Sequence, residues 1–174
     1  GQIFATGNIG PVRVKGDVIG QDGFAGGQIR SDLDIASVTI GGSLIGGFGL
    51  AGGHLAIEGN MGPVKIGGDM IGGPNIFTGM IEVFGNLGPV MIGGSIVGGR
   101  SGISGLISAA LDCGPIKIGG SLIGGSITGS DISIFSSGSI AAARIPSITI
   151  GGSLIGGVGS SANGNLIVRG SVQA

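Results

Sequence analysis

The sequence repeats itself at a fixed interval, so that position i resembles position i + 26 over most of the chain. Six segments read apolar, polar, apolar, and each is followed by Gly-Gly (Lys15-Gly16 in the first), Asp or Ser, two aliphatic residues and glycine. The first apolar residues of these segments, here called anchors, are Val12, Val38, Val64, Val90, Ile116 and Ile148. The numbers of successive anchors differ by 26, 26, 26, 26 and 32. A fixed period of this length indicates stacked copies of one short structural unit.

Each repeat has room for three short strands. The anchor segments alternate β-branched and polar residues, which predicts a strand with one buried face. A more weakly patterned strand covers 55–57 and 81–83, and aliphatic pairs such as Met70-Ile71 predict a third. Glycine accounts for 44 of the 174 residues. It disfavours helix by about 1 kcal/mol per position and supplies the turns between strands.

Three strands in each repeat make one rung of a β-solenoid, in which rungs stack at about 4.8 Å. The period is longer than the rung of about 18 residues that three hexapeptides make. We therefore predict an all-β, right-handed parallel β-helix of about six rungs plus a partial seventh, in a single domain over 1–174. The repeats lie near 1–26, 27–52, 53–78, 79–104, 105–136, 137–163 and 164–174. Six extra residues in the last interval predict an insertion around 126–139.

Stacking in register turns each repeat position into a column along the rod. The residues four before the anchors predict a side-chain ladder at a turn, as stacked amides form in cross-β assemblies: Asn8, Asp34, Asn60, Asn86 and Asp112, with Arg144 as the exception. One residue after the anchors, cations alternate with neutral residues: Arg13, Thr39, Lys65, Met91, Lys117 and Thr149. Five after the anchors, Asp17 and Asp69 alternate with Ser43 and Ser95. Both alternations keep like charges apart.

The third strand predicts an association surface. Adjacent residues of a strand point to opposite faces, so one member of each aliphatic pair should lie outside. These residues form a possible stripe along the rod: Ile19, Ile45, Ile71, Val97, Ile123 and Ile155. An exposed stripe of this length exceeds what a monomer normally presents. We expect it to support lateral association into a fibre or sheet, or to be covered by the 126–139 insertion.

Composition and single residues narrow the function classes. Only 10% of residues are charged and the net charge is −1, which does not favour nucleic acid. No apolar stretch is long enough for a transmembrane helix. A single cysteine excludes an internal disulfide; Cys113 stands in an inward column, and His54 is expected at a surface turn. We therefore predict no catalytic residue, no metal site and no cofactor.

The repeat 64–73, Val-Lys-Ile-Gly-Gly-Asp-Met-Ile-Gly-Gly, resembles the glycine-rich β-solenoid repeats of large bacterial surface proteins, including adhesin-like and autotransporter-like passengers. The resemblance covers nearly the whole chain and implies a secreted, structural role at the cell surface. Such relatives have distinct caps or anchoring domains, and none is visible here. We therefore expect an excised piece, or a subunit whose ends meet other subunits.

The leading expectation is a structural or adhesive extracellular β-solenoid segment, not an enzyme, that self-associates end to end or laterally or continues into a longer fibre or surface layer. One alternative is a carbohydrate-binding or carbohydrate-cleaving β-helix with a glycan partner. For that reading Asp32 and Glu58, with Asp34 nearby, are the best acidic cluster. A second alternative is an ice-binding protein, for which only Thr39 and Thr149 lie in the outward column.

Overall fold

The computed structural model describes residues 1–127, 137–159 and 166–168. Within these ranges every regular element is a β-strand; rungs 1 to 6 each contribute one strand to each of three sheets, and the partial seventh rung contributes one strand to the first sheet. Sheet A contains β1 (Gln2–Ala5), β4 (Gln28–Ser31), β7 (His54–Ile57), β10 (Met80–Val83), β13 (Leu106–Ala109), β17 (Ser139–Ala142) and β21 (Leu166–Val168). Sheet B contains β2 (Ile9–Val14), β5 (Ile35–Ile40), β8 (Val64–Ile66), β11 (Val90–Ile92), β14 (Ile116–Ile118) and β18 (Ile148–Ile150). Sheet C contains β3 (Val18–Ile19), β6 (Leu44–Ile45), β9 (Met70–Ile71), β12 (Ile96–Val97), β15 (Leu122–Ile123) and β19 (Leu154–Ile155).

Strands in each sheet are parallel and pair in the register that the period predicts. Val64 lies between Val38 and Val90, the equivalent residues of the preceding and following repeats. The predicted β-solenoid is therefore confirmed, while the right-handed sense of its coil stays a prediction. At a strand spacing of about 4.8 Å, six rungs make a rod about 30 Å long.

The core fills the space between the three sheets. In sheet B the anchor and the residue two after it point inward, and the residue between them points outward. Ile40, Ile66 and Ile118 are completely buried. Because equivalent residues of neighbouring rungs lie one strand spacing apart, the core consists of continuous aliphatic columns, and no rung can bury its apolar face without its neighbours.

The interval of 32 residues between the last two anchors differs from the 26-residue period at two places, before β17 and after it. Sheet A pairs Leu106 with Ser139, whose numbers differ by 33, whereas sheet B pairs Ile116 with Ile148, whose numbers differ by 32. The turn after β17 is thus one residue shorter than its counterparts, and seven additional residues precede β17. A short pair of strands, β16 (Ser126–Ile127) and β20 (Val158–Gly159), lies beside this interval. The remainder of the predicted insertion, 128–136, lies outside the described residues, as do 160–165 and 169–174 of the last repeats.

Glycine is required where one rung touches the next. A Cβ added at Gly67, Gly93 or Gly119 would lie less than 3.0 Å from the carbonyl oxygen of the equivalent residue in the preceding rung. Contacts that short do not occur for real side chains. The Gly-Gly turns between sheets B and C therefore owe their composition mainly to close stacking. At the corner before sheet A, Gly53 and Gly79 have positive φ, which favours glycine.

Candidate interaction surfaces

The corner between sheets A and B carries the predicted amide ladder. The Oδ1 atom of Asn8 accepts from the backbone N–H of Asp34 at 3.1 Å, and Asp34 Oδ1 accepts from that of Asn60 at 2.6 Å. Asn60 Oδ1 accepts both the backbone N–H and the side-chain amide of Asn86, at 2.9 and 3.0 Å. Asp112 continues the series through its backbone N–H. Each oxygen thus satisfies a turn N–H of the following rung.

Arg144 takes the next place in this ladder. Its guanidinium donates two hydrogen bonds to the Asp112 carboxylate, with Nε 2.9 Å from Oδ1. The hydrogen bonds from Arg144 lower the pKa of Asp112, and those to Asp112 raise the pKa of Arg144. The exception in the sequence column is therefore a cation that balances an acid.

A second ladder, which the sequence analysis missed, runs along the corner between sheets B and C. The Oδ1 atoms of Asp17 and Asp69 each accept the backbone N–H of the serine one rung later, at 2.7 Å. The hydroxyl of Ser43 likewise accepts from the backbone of Asp69 at 3.0 Å. The series continues through Ser95 and Ser121. The Asp/Ser alternation in the sequence was the available signal, because both residue types offer an oxygen at the same place.

The aliphatic stripe lies on the outer surface of sheet C. The first member of each of the first five pairs is buried, and Leu44, Met70 and Ile96 are completely so, whereas Leu154 of the sixth pair is exposed. The second member points outward and is half-buried in the middle rungs. At the two ends Ile19 and Ile155 are 43% and 45% exposed. The predicted stripe residues therefore form one aliphatic ridge on this face.

Little side-chain material surrounds this ridge. Gly-Gly pairs precede and follow each aliphatic pair in rungs 2 to 6, and four of the six copies of this segment contain no charged residue: 40–47, 92–99, 118–125 and 150–157. Next to the ridge, at the corner between sheets C and A, Phe24 and Phe48 are 81% and 72% exposed. The sequence analysis missed these two rings because Phe does not recur in their columns. Sheet C thus presents a largely uncharged apolar surface, in which the aliphatic ridge is flanked by glycine.

The outer face of sheet B is different in chemistry. Its outward residues form a column of proline and serine and a column containing Lys65, Met91 and Lys117. An axial groove of about 640 Å³ runs between them. Among the described residues, Lys65 and Lys117 form no ion pair, and Met91 is 46% exposed. The face is therefore mixed cationic and apolar rather than a regular threonine array.

The predicted acidic cluster of Asp32 and Glu58 forms ion pairs with Arg30. Arg30 Nη2 lies 3.0 Å from Asp32 Oδ1 and 3.7 Å from Glu58 Oε1. The same guanidinium stacks on the ring of Phe4 at 5.6 Å. Asp34 is engaged separately in the amide ladder. Arg30 is therefore the charge partner of both carboxylates in a surface ion-pair cluster.

The predicted surface position of His54 was wrong. His54 begins β7 and is only 4% exposed, because the corner at 72–79 folds over it and Phe77 stacks on its ring at 6.1 Å. Its column is correct, since it pairs with Met80. Nε2 lies 3.4 Å from Glu82 Oε2, and neither ring nitrogen makes a hydrogen bond. The corner that buries it carries an unusual backbone, with positive φ at Phe77.

Cys113 is a core residue, as its column predicts. It is 3% exposed, and burial raises the pKa of its thiol to about 12. Over the ranges that the structure describes, no three His, Cys, Asp or Glu side chains are grouped to hold a metal ion. The same ranges contain no helix that could cross a membrane.

No known protein family, curated protein or solved structure matches this chain. Two surfaces stand out: the uncharged ridge of sheet C and the axial groove of sheet B.

Proposed function

We propose that this protein is a structural or adhesive β-solenoid segment that associates with copies of itself, as part of a fibre or surface layer. The observation that carries this proposal is the aliphatic ridge on sheet C, flanked by glycine and almost free of charge. Stacked rungs supply a stiff rod, because backbone hydrogen bonds run along its axis. The resemblance to bacterial surface repeats supports an extracellular or cell-surface location.

The size of the sheet C face fits a second copy of the chain. Six rungs give a length of about 30 Å, and the segment from the first flanking glycine to the last, 41–47 in rung 2, is at most about 20 Å wide. Two copies packed face to face would cover at most about 600 Å² each, or about 1,200 Å² in total, which is at the lower end of the range for a specific interface. Glycine on both sides of the ridge lets the backbones approach closely, and few charges need to be desolvated.

Sedimentation of the full chain over a range of concentrations tests this proposal. We expect wild type to form concentration-dependent oligomers, and Val97→Lys to shift them toward monomer by placing a charge on the ridge. Ser108→Lys is the matched control, because it adds the same charge in an outward column of sheet A, where the neighbouring residue is Glu82. Electron microscopy then distinguishes a closed face-to-face pair from a fibre or sheet, which requires a second contact surface besides sheet C. A wild-type chain that remains monomeric at every concentration would refute the proposal.

The groove on sheet B favours a second candidate, carbohydrate binding. Its proline rings and unpaired Lys65 and Lys117 offer an extended surface parallel to the rod axis, suited to a linear glycan. Titration with acidic and neutral oligosaccharides tests it, with Lys65→Gln and Lys117→Gln as variants. Binding that both variants leave unchanged would exclude this groove.

A further inference from the structure

The first rung differs from all later rungs at two stacking positions. Lys15 is equivalent to Gly41, and Gln21 is equivalent to Gly47. Both columns contain only glycine after rung 1: Gly41, Gly67, Gly93, Gly119 and Gly151, and Gly47, Gly73, Gly99, Gly125 and Gly157. These are the columns that turn from sheet B into sheet C and from sheet C toward sheet A.

The glycines in both columns serve one steric purpose. A Cβ at Gly41 would lie less than 3.0 Å from the carbonyl oxygen of Lys15, and the same contact recurs in each later rung. In the second column, a Cβ at Gly47 would lie 2.6 Å from the carbonyl oxygen of Gln21. The Cβ position of each rung thus points at a carbonyl of the rung before it, and only glycine leaves room.

Lys15 and Gln21 carry real Cβ atoms at these positions. Both residues are exposed, because no described rung lies on their outer side. A rung of the same geometry placed against rung 1 would bring carbonyl oxygens to within 3.0 Å of both Cβ atoms. Separations below 3.0 Å force a displacement, and here the opposing atom is backbone rather than a flexible side chain.

We infer that rung 1 is a steric stop for rung stacking, so that copies of this chain associate side by side through sheet C and not end to end. This inference rests on the proposed self-association and specifies its geometry. Among the described residues β1, β2 and β3 are the outermost strands of their sheets, and an outermost strand otherwise invites strand pairing from a second copy. The Cβ atoms of Lys15 and Gln21 block that pairing at both ends of β3 and leave the ridge on sheet C accessible.

The test compares two double variants of the full chain. Lys15→Gly with Gln21→Gly removes both Cβ atoms. Lys15→Ala with Gln21→Ala removes the charge and the side-chain length but keeps both Cβ atoms. We expect only the glycine variant to form end-to-end rods, seen by electron microscopy as particles of two or more molecular lengths. Wild type and the alanine variant should show single-length particles, alone or side by side.

Several outcomes separate this inference from the proposed function. End-to-end rods of wild type, or identical behaviour of the glycine and alanine variants, would overturn the stop. Monomeric wild type together with rods of the glycine variant would refute lateral association and still support the stop. Lateral oligomers that Val97→Lys disperses, with no change in particle length, would support both.

Discussion

The steric requirement for glycine in the Gly-Gly turns can be tested by comparing the stability of Gly93→Ala with that of Gly16→Ala. Both glycines lie in the turn between sheets B and C, and neither has positive φ. They differ in what lies behind them: the Cβ at position 93 would meet the Gly67 carbonyl oxygen at less than 3.0 Å, whereas nothing lies within 4 Å at position 16. Gly93 is the first position of its turn and Gly16 the second, so the pair compares a turn glycine that faces a stacked rung with one that faces none.

The expected magnitudes follow from this geometry. Introducing a methyl group into a packed site costs about 1–3 kcal/mol. At Gly93 the displaced turn also holds the hydrogen bonds Gly93 N–H to Ile66 O and Gly94 N–H to Gly68 O, both 2.8 Å, each contributing about 1 kcal/mol. We expect Gly93→Ala, which weakens these hydrogen bonds without breaking both, to reduce the free energy of unfolding by about 2–4 kcal/mol. Gly16→Ala should raise it by up to about 1 kcal/mol, since alanine restricts the unfolded chain.

Thermal unfolding followed by circular dichroism measures the difference. For a chain of this length 1 kcal/mol corresponds to about 2–4 °C in Tm, so Gly93→Ala should melt about 5–15 °C below wild type. Gly16→Ala should melt at or slightly above it. Equal destabilisation by both substitutions would refute the steric explanation, because the cost would then come from the turn conformation itself.

The other predictions concern single side chains. Asn60→Asp should lower stability at pH 7 by about 0.5–1 kcal/mol, because it places like charges opposite one another in the ladder, and the difference in Tm from wild type should vanish once the carboxylates are protonated. Arg144 lowers the pKa of Asp112 in the folded state, so its contribution is present above the ordinary value of 3.8 and is lost as pH falls through the folded pKa; Arg144→Ala should melt below wild type at pH 7 and approach it in acid. The Cys113 thiol, with its pKa raised to about 12, should not react with a disulfide reagent at pH 8 until the chain unfolds; rapid labelling of the folded protein would contradict its burial. His54→Met should raise Tm, because it replaces a buried ring without hydrogen bonds by the residue that follows it in the column; a lower Tm would mean that the contact with Glu82 stabilises the fold.

The sequence alone determined the architecture of this protein. Parallel strands in register convert each position of the repeat into a spatial column, so the fixed period predicted the rungs and the three sheets. It also predicted the inward columns through Val64 and Ile66 and the amide ladder through Asn60. The physical reason is that stacking in register leaves each residue the same neighbours in every rung.

Only the tertiary structure decided what covers the outward side chains and which glycines are indispensable. Alternation assigned His54 to a column but did not reveal that the corner carrying Phe77 folds over it. The steric effect of Lys15 and Gln21, which replace glycine in their columns, depends on the carbonyl oxygens that face Gly41 and Gly47, and only the structure gives the positions of those oxygens. Strand periodicity fixes the direction of a side chain, whereas burial and steric exclusion depend on the corners and on the distance between rungs.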